Sequence, residues 1–169
     1  EFVDFSFLLF GYICHGFSLR CEKGRFVLPP SFRKAVKESS EGRVLCLAKH
    51  ERWNCLTGFG LSRRAELEVQ IDREEERAIR MNRDFDRDLC ASQLYGFIEI
   101  PFDESGRFIM PDFLADLGRL DSGVYFQGAG GFFTLWNPAE LYAMGEGWEG
   151  AQAACKMLEA ETLSKGKKA

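Results

Sequence analysis

Two hydrophobic periods alternate along this chain. Phe17 and Leu19 alternate with Ser18 and Arg20, which is strand spacing, so residues 5–20 read as one or two strands interrupted near Gly11 and Gly16. Cys21–Gly24 reads as a turn and Arg25–Leu28 as a short strand. Pro29-Pro30-Ser31 ends that strand and opens a helix over 30–40, with Phe32 and Val36 inward and Arg33, Lys34 and Lys37 outward. Proline suits a first helical turn, where its missing N–H would be unpaired anyway. Gly42 restarts the chain, and Val44–Ala48 with Trp53–Thr57 predicts a hairpin. Residues 62–91 change character, with 7 Arg against 9 Asp or Glu and neither Gly nor Pro. Leu67, Ile71, Ala78, Met81, Phe85 and Leu89 fall at helical spacing there, and Glu76 precedes Arg80 by four residues, a stabilising helix pair. The stretch predicts one long helix or two, broken near Asn82, with its charges on a solvated face or a subunit contact.

Strand periodicity returns over Leu94–Phe102, followed by a second turn, a strand Arg107–Met110, a helix 111–118 and a hairpin of Val124–Gln127 with Phe132–Trp136. Asn137-Pro138-Ala139-Glu140 is a strong helix start, with Asn as the cap and Pro at the first position; it predicts a helix over 138–144. A further helix near 148–163 carries Trp148, Ala151, Cys155, Leu158 and Thr162 along one side, for packing or an oligomer contact. Ser164–Ala169 reads as a disordered basic tail.

The second half thus replays the first, and one stretch shows it residue by residue. Glu22, Gly24, Arg25, Phe26 and Pro29 recur 82 positions later as Glu104, Gly106, Arg107, Phe108 and Pro111. A repeat at a fixed offset dictates architecture before any other feature does. Its charge is not repeated. Residues 18–37 carry a net +5 and residues 100–116 a net −3.

At 169 residues the chain buries about 70% of its unfolded surface on folding and needs no disulfide or metal to do so. Hydrophobic content of 46% excludes bulk disorder, and sixteen Phe suit strands and a packed core. The net charge of −4 excludes a general polyanion binder, whose footprint is basic. Six cysteines without a CxxC pair, and only two His, point away from zinc and toward free thiols in a reducing cytoplasm. Phe5 to Cys14 is apolar but lacks the basic flank and cleavage site of a signal peptide, and is too short to cross a bilayer.

An acid-x-x-Gly-Arg turn has two readings. Gly supplies the positive φ of a tight turn, and the acid can hold nearby amides and the guanidinium, which makes a structural staple. Arg at a strand mouth equally suits phosphate or guanine. No catalytic constellation is present. Cys14 and His15 are adjacent, and neighbours in a strand point to opposite faces. The sequence therefore predicts neither an enzyme nor a cofactor.

Lys23-Gly24-Arg25-Phe26-Val27-Leu28-Pro29 with Phe32-Arg33, Asp103-Glu104-Ser105-Gly106-Arg107 with Pro111, and Val124 through Gly128 ending in Phe133-Thr134-Leu135-Trp136 together carry a resemblance over roughly residues 10–145. The chain resembles the MraZ family of bacterial transcription regulators. The resemblance implies an α+β, β-rich fold of two pseudo-symmetric swapped-hairpin SpoVT/AbrB-like repeats forming one barrel-like core. The repeats would span 10–60 and 93–137, with a helical insert at 61–92 and C-terminal helices and tail over 138–169. It implies a cytoplasmic, nucleoid-associated ring homo-oligomer that binds double-stranded DNA at direct repeats upstream of the division and cell-wall gene cluster, usually repressing it. The family signature, D-x-x-x-R in each repeat, is complete here as Asp103 and Arg107. In the first copy Cys21 replaces the acid and Arg25 is kept, with Glu22 as a neighbouring substitute. The resemblance implies Arg25 and Arg107 as DNA-binding residues; the positive charge of the first copy adds Arg20 and Lys23 beside Arg25, with Arg33 or Lys34 on the DNA backbone; Cys21, Glu22, Gly24, Asp103 and Gly106 shape the turns. From the charge contrast, the first copy reads as the DNA reader and the second as its stapled structural partner. The competing reading is an AbrB-like assembly or antitoxin-type interaction module.

Overall fold

The computed structural model describes residues 11–166. The predicted strand over 5–10 and the end of the predicted tail at 167–169 lie outside the described residues. The described chain is α+β and antiparallel throughout. A six-stranded sheet runs in the order β1-β7-β8-β4-β3-β5, made of β1 (His15–Leu19), β3 (Val44–Lys49), β4 (Leu56–Phe59), β5 (Ile98–Pro101), β7 (Gly123–Gly128) and β8 (Phe133–Trp136). A separate two-stranded ribbon pairs β2 (Arg25–Val27) with β6 (Arg107–Ile109). Six helices complete it: α1 (Pro30–Ser40), α2 (Leu67–Arg80), α3 (Arg87–Leu94), α4 (Asp112–Leu117), α5 (Pro138–Tyr142) and α6 (Glu149–Gly166).

Strand order and register mirror the sequence repeat. β1 of the first half pairs with β7 of the second, β5 of the second pairs with β3 of the first, and β4 meets β8 at the centre. In the ribbon, Phe26 lies opposite Phe108, its own counterpart. The flanking bonds are reciprocal: Leu28 N–H donates to Gly106 O at 2.8 Å and Met110 N–H to Gly24 O at 3.4 Å.

Period-two patterning explains which side of each strand is buried. Phe26 and Phe108 point inward from the ribbon, their rings 6.3 Å apart. They join Phe32 and Val36 of α1, Leu114 of α4 and the Val124, Phe126 and Leu135 side of the sheet in the main core. Tyr125 and Trp136 face the other way, into a second cluster with Leu141 and Cys155. The stripe predicted on the last helix is that contact, so α6 folds back against the sheet; it also runs on to Gly166, through the first residues of the predicted tail.

The expected barrel does not form. The sheet is open, with β1 and β5 at its two ends, and the ribbon covers one face. The reason is local. Beyond Leu19 the chain turns away into the ribbon, and the corner is tied by a side chain, Val27 N–H donating to Ser18 Oγ at 2.8 Å. Other boundaries moved as well. β4 starts at Leu56, because Trp53 and Cys55 sit in a bend where His50 N–H donates to Cys55 O at 3.0 Å. The insert does break at Asn82, which takes φ 50°; Leu67, Ile71 and Ala78 are buried while Met81 and Leu89 are exposed.

Phe108 is 2% exposed. Its replacement by Ala is expected to cost about 3–5 kcal/mol, the range for deleting a buried aromatic ring. Urea unfolding measures this, and a loss below ~1 kcal/mol would show that the ribbon is not seated on the core.

Candidate nucleic-acid interface

Inward Phe26 and Phe108 leave their neighbours on the outer face. Arg25 and Val27 flank Phe26, Arg107 and Ile109 flank Phe108, and the register sets Arg25 opposite Ile109 and Val27 opposite Arg107. The outer face of the ribbon is therefore two arginines on one diagonal and two aliphatic residues on the other. Arg107 and Ile109 are exposed and Arg25 and Val27 half-buried. Period-two reading of β2 and β6 could have found Val27 and Ile109, which were not among the expected site residues.

The turns before the two strands stand at opposite ends of the ribbon. In both, the first residue donates its N–H to the arginine carbonyl: Cys21 to Arg25 at 2.7 Å and Asp103 to Arg107 at 3.0 Å. The side chains then diverge. Asp103 Oδ1 accepts from Ser105 N–H and Arg107 N–H, each at 2.9 Å, and Oδ2 accepts from Arg107 Nε at 2.8 Å. These donors, the Arg107 amide foremost, hold the Asp103 carboxyl below its ordinary range. Cys21 cannot accept such a set, and its thiol donates instead to Leu19 O at 3.6 Å. Glu22 does not replace the acid, since among the described residues no ion pair joins it to Arg25.

The backbone registers the loss. Lys23, the counterpart of Ser105, takes φ 62° and Gly24 φ 69°, whereas in the second turn only Gly106 is left-handed, at φ 83°. The amide that Asp103 holds in one turn has no such acceptor in the other. A left-handed conformation costs a non-glycine residue about 1–2 kcal/mol, so the two turns differ in shape as well as charge.

The remaining predicted residues fall into two groups. Arg20 lies over the Phe26 ring, 5.6 Å from its centroid, and Lys23 is exposed beside it in sequence and turn. Arg33 is at the other end, where its guanidinium donates to Leu28 O at 3.1 Å and Glu104 O at 3.4 Å. It braces α1 against the second turn, so closely that a Cβ on Gly106 would collide with it. Lys34 is exposed on the next position of α1. Arg43, which sequence reasoning missed, pairs with Glu104 at 3.8 Å. The basic segment of the first half thus meets the acidic turn of the second, and the contrast of +5 and −3 along the chain is not a contrast between two faces.

A second feature had no sequence signal. A cavity of about 460 Å³ lies between the β3–β4 end and α2 and α3. Arg63 stacks on Phe132 at 5.0 Å and donates to Gln70 Oε1 at 3.0 Å. Buried His50 accepts from Arg52 N–H and Trp53 N–H at Nδ1, at 3.1 and 3.2 Å. Desolvation lowers its pKa, and its Nδ1 lies 3.9 Å from a carboxylate oxygen of Glu51. Among the described residues no group of three or more His, Cys, Asp or Glu is placed to hold a metal ion.

Two measurements test the turn geometry. A lowered carboxyl pKa stabilises the fold fully above the unfolded midpoint of about 3.9 and loses that contribution as pH falls through the lower folded midpoint. The Arg107 Nε–H resonance should therefore hold constant from pH 7 to pH 5 and change only below about pH 4. Cys21→Asp supplies the missing acceptor and is expected to stabilise the protein by about 1 kcal/mol. An unchanged denaturation midpoint would separate the left-handed Lys23 from the loss of the acid.

No protein-family model matches the chain. Curated relatives do. It is 32% identical over 126 residues to the transcriptional regulator MraZ of Rhodospirillum rubrum, covering 72% of this chain and 76% of that protein. It is 31% identical over 122 residues to the MraZ of Parvibaculum lavamentivorans, covering 72% of each. With the MraZ of Gluconobacter oxydans the identity is 30% over 118 residues, 69% of each chain. The chain belongs to the MraZ family of transcriptional regulators.

Proposed function

We propose that this protein is a sequence-specific DNA-binding transcriptional regulator that docks its two-stranded ribbon on double-stranded DNA. The observation that carries the reading is the ribbon's outer face, where Arg25 and Arg107 from the two copies stand together on one short antiparallel pair. A two-stranded ribbon fits the major groove of B-DNA, and an arginine fork matches either guanine or phosphate. Arg20 and Lys23 add charge at one end of the ribbon, and Lys34, exposed on α1, contributes a contact to the DNA backbone. Arg33, held on two carbonyls, serves this surface by fixing α1 to the second turn.

The finer reading follows the family. The regulator acts in the cytoplasm, on the nucleoid, as a repressor of the division and cell-wall gene cluster, at direct repeats upstream of it. The reciprocal pairing of β1 with β7 and β5 with β3 supports two swapped-hairpin repeats. A ring homo-oligomer explains how a chain of net charge −4 holds DNA: each subunit repeats one local basic patch, and weak contacts add through effective concentration. Phe113 and Leu117, one turn apart on α4 and 54% and 50% exposed, are suited to a subunit contact. The competing interaction-module reading is weaker, because α6, the segment available to wrap a partner, is packed on Tyr125 and Trp136 through Cys155. Removing it would uncover the second core.

A gel shift on the DNA upstream of this protein's own gene tests the proposal. Arg25→Ala and Arg107→Ala are each expected to weaken binding about tenfold or more, the loss from one good charged contact. Wild-type affinity should fall steeply between 50 and 200 mM salt. Wild-type binding no tighter than to bulk DNA, or two variants indistinguishable from wild type, would overturn it.

A further inference from the structure

The two arginines of the ribbon are not equivalent. Arg107 is held through Nε by a carboxylate that is itself fixed by two backbone amides. Its orientation is set before any ligand arrives, and among the described residues its two terminal nitrogens have no partner, so they can present parallel N–H groups. Guanine offers two acceptors, O6 and N7, at the spacing of that fork. A fork already oriented loses less side-chain freedom on binding than a free one. The same ion pair cancels most of the charge of Arg107, so it contributes little to a general attraction for phosphate.

Arg25 has the opposite character. Cys21 stands where the acid would be, and among the described residues no carboxylate pairs with Arg25. Its full charge stands with Arg20 and Lys23 in one stretch of the chain. Phosphates recur at every nucleotide and accept contacts over a broad range of geometry, which suits a cation that no carboxylate orients.

We infer, building on the DNA-binding reading, that the ribbon divides its work: Arg107 reads a guanine in the major groove, Asp103 positions it, and Arg25 binds phosphate and carries affinity without sequence information. The cause of the division is the single exchange of acid for thiol at position 21. The sequence-reading half of each subunit is then the second copy, the one whose surrounding sequence is acidic. This reverses the assignment made from charge alone.

The test uses full-length protein and a duplex selected by the wild type from a randomised pool. Each guanine in turn is replaced by 7-deazaguanine, which lacks the N7 acceptor, and affinities are measured at two salt concentrations. One substitution should weaken wild type and Arg25→Ala by about 5- to 100-fold. It should leave Arg107→Ala unchanged and affect Asp103→Asn only weakly. The slope of log affinity against log salt should fall by about 0.9 for Arg25→Ala, one phosphate contact, and stay at the wild-type value for Arg107→Ala. Asp103→Asn keeps an oxygen for the two backbone amides and loses only the charge, so it should still fold, with a melting temperature lowered by at most about 4 °C, which separates positioning from folding. Cys21→Asp should create a second position sensitive to 7-deazaguanine. Loss of guanine sensitivity in Arg25→Ala but not in Arg107→Ala overturns the inference, as does full sensitivity retained in Asp103→Asn. A wild type that selects no duplex at all instead overturns the DNA-binding reading beneath it.

Discussion

The structure depends on one pairing, Phe26 opposite Phe108. Both rings are buried, at 0% and 2% exposure, and each is the other's counterpart in the repeat. The ribbon strands run antiparallel about that pair, and strands from the two halves of the chain pair with one another in the sheet. The strand before each ribbon strand is carried to the far half of the sheet, so β1 joins β7 and β5 joins β3. The two turns are driven to opposite ends of the ribbon. The residues on either side of the phenylalanines have only the outer face left, since side chains alternate along a strand. One buried contact thereby sets both the topology and the composition of the candidate interface.

The same pairing decides the electrostatics. Along the sequence, positive charge belongs to the first copy and negative to the second. In the fold, Arg33 and Arg43 reach Glu104, while the acidic start of α4 follows Met110, whose amide is bonded to Gly24. Each end of the ribbon thus receives residues from both copies. Charge summed over a segment describes a face only if the segment stays together, and an antiparallel exchange guarantees that it does not. The useful local quantity is whether a given arginine already has a partner.

Much of the fold was legible because its signals were local. Pro30 starts α1, and the 30–40 span follows from the Phe32–Val36 spacing. Asn137 caps α5 by accepting from Ala139 N–H at 3.1 Å, and the hairpin of β7 and β8 follows from alternation and glycine. The repeat itself was readable as matched residues. The open sheet was not, because whether β1 meets β5 depends on where Ser18 and Val27 tie the corner. The brace role of Arg33 was hidden too, since helical periodicity placed it outward and only the return of the second turn gives it carbonyls. The cavity between α2, α3 and the sheet collects residues from 48 to 132, and no spacing announces it. In the site, Arg25 and Arg107 were legible as a repeated motif; their shared face required the ribbon register.

Losing the acid from one turn has a bounded cost because the ribbon is held elsewhere. Phe26 and Phe108 fix both strands whether or not the turns are stapled, and the reciprocal bonds at Gly24 and Gly106 close both ends. What Cys21 gives up is the carboxylate that holds two amides in the other turn, and Lys23 here takes a left-handed conformation. What it leaves is an arginine that, among the described residues, no carboxylate pairs. At the other end, Asp103 spends most of the charge of Arg107 on orientation. A duplicated device can therefore diverge into one well-placed cation and one strongly charged cation without disturbing the core, provided that the shared aromatic pair, rather than either turn, carries the fold.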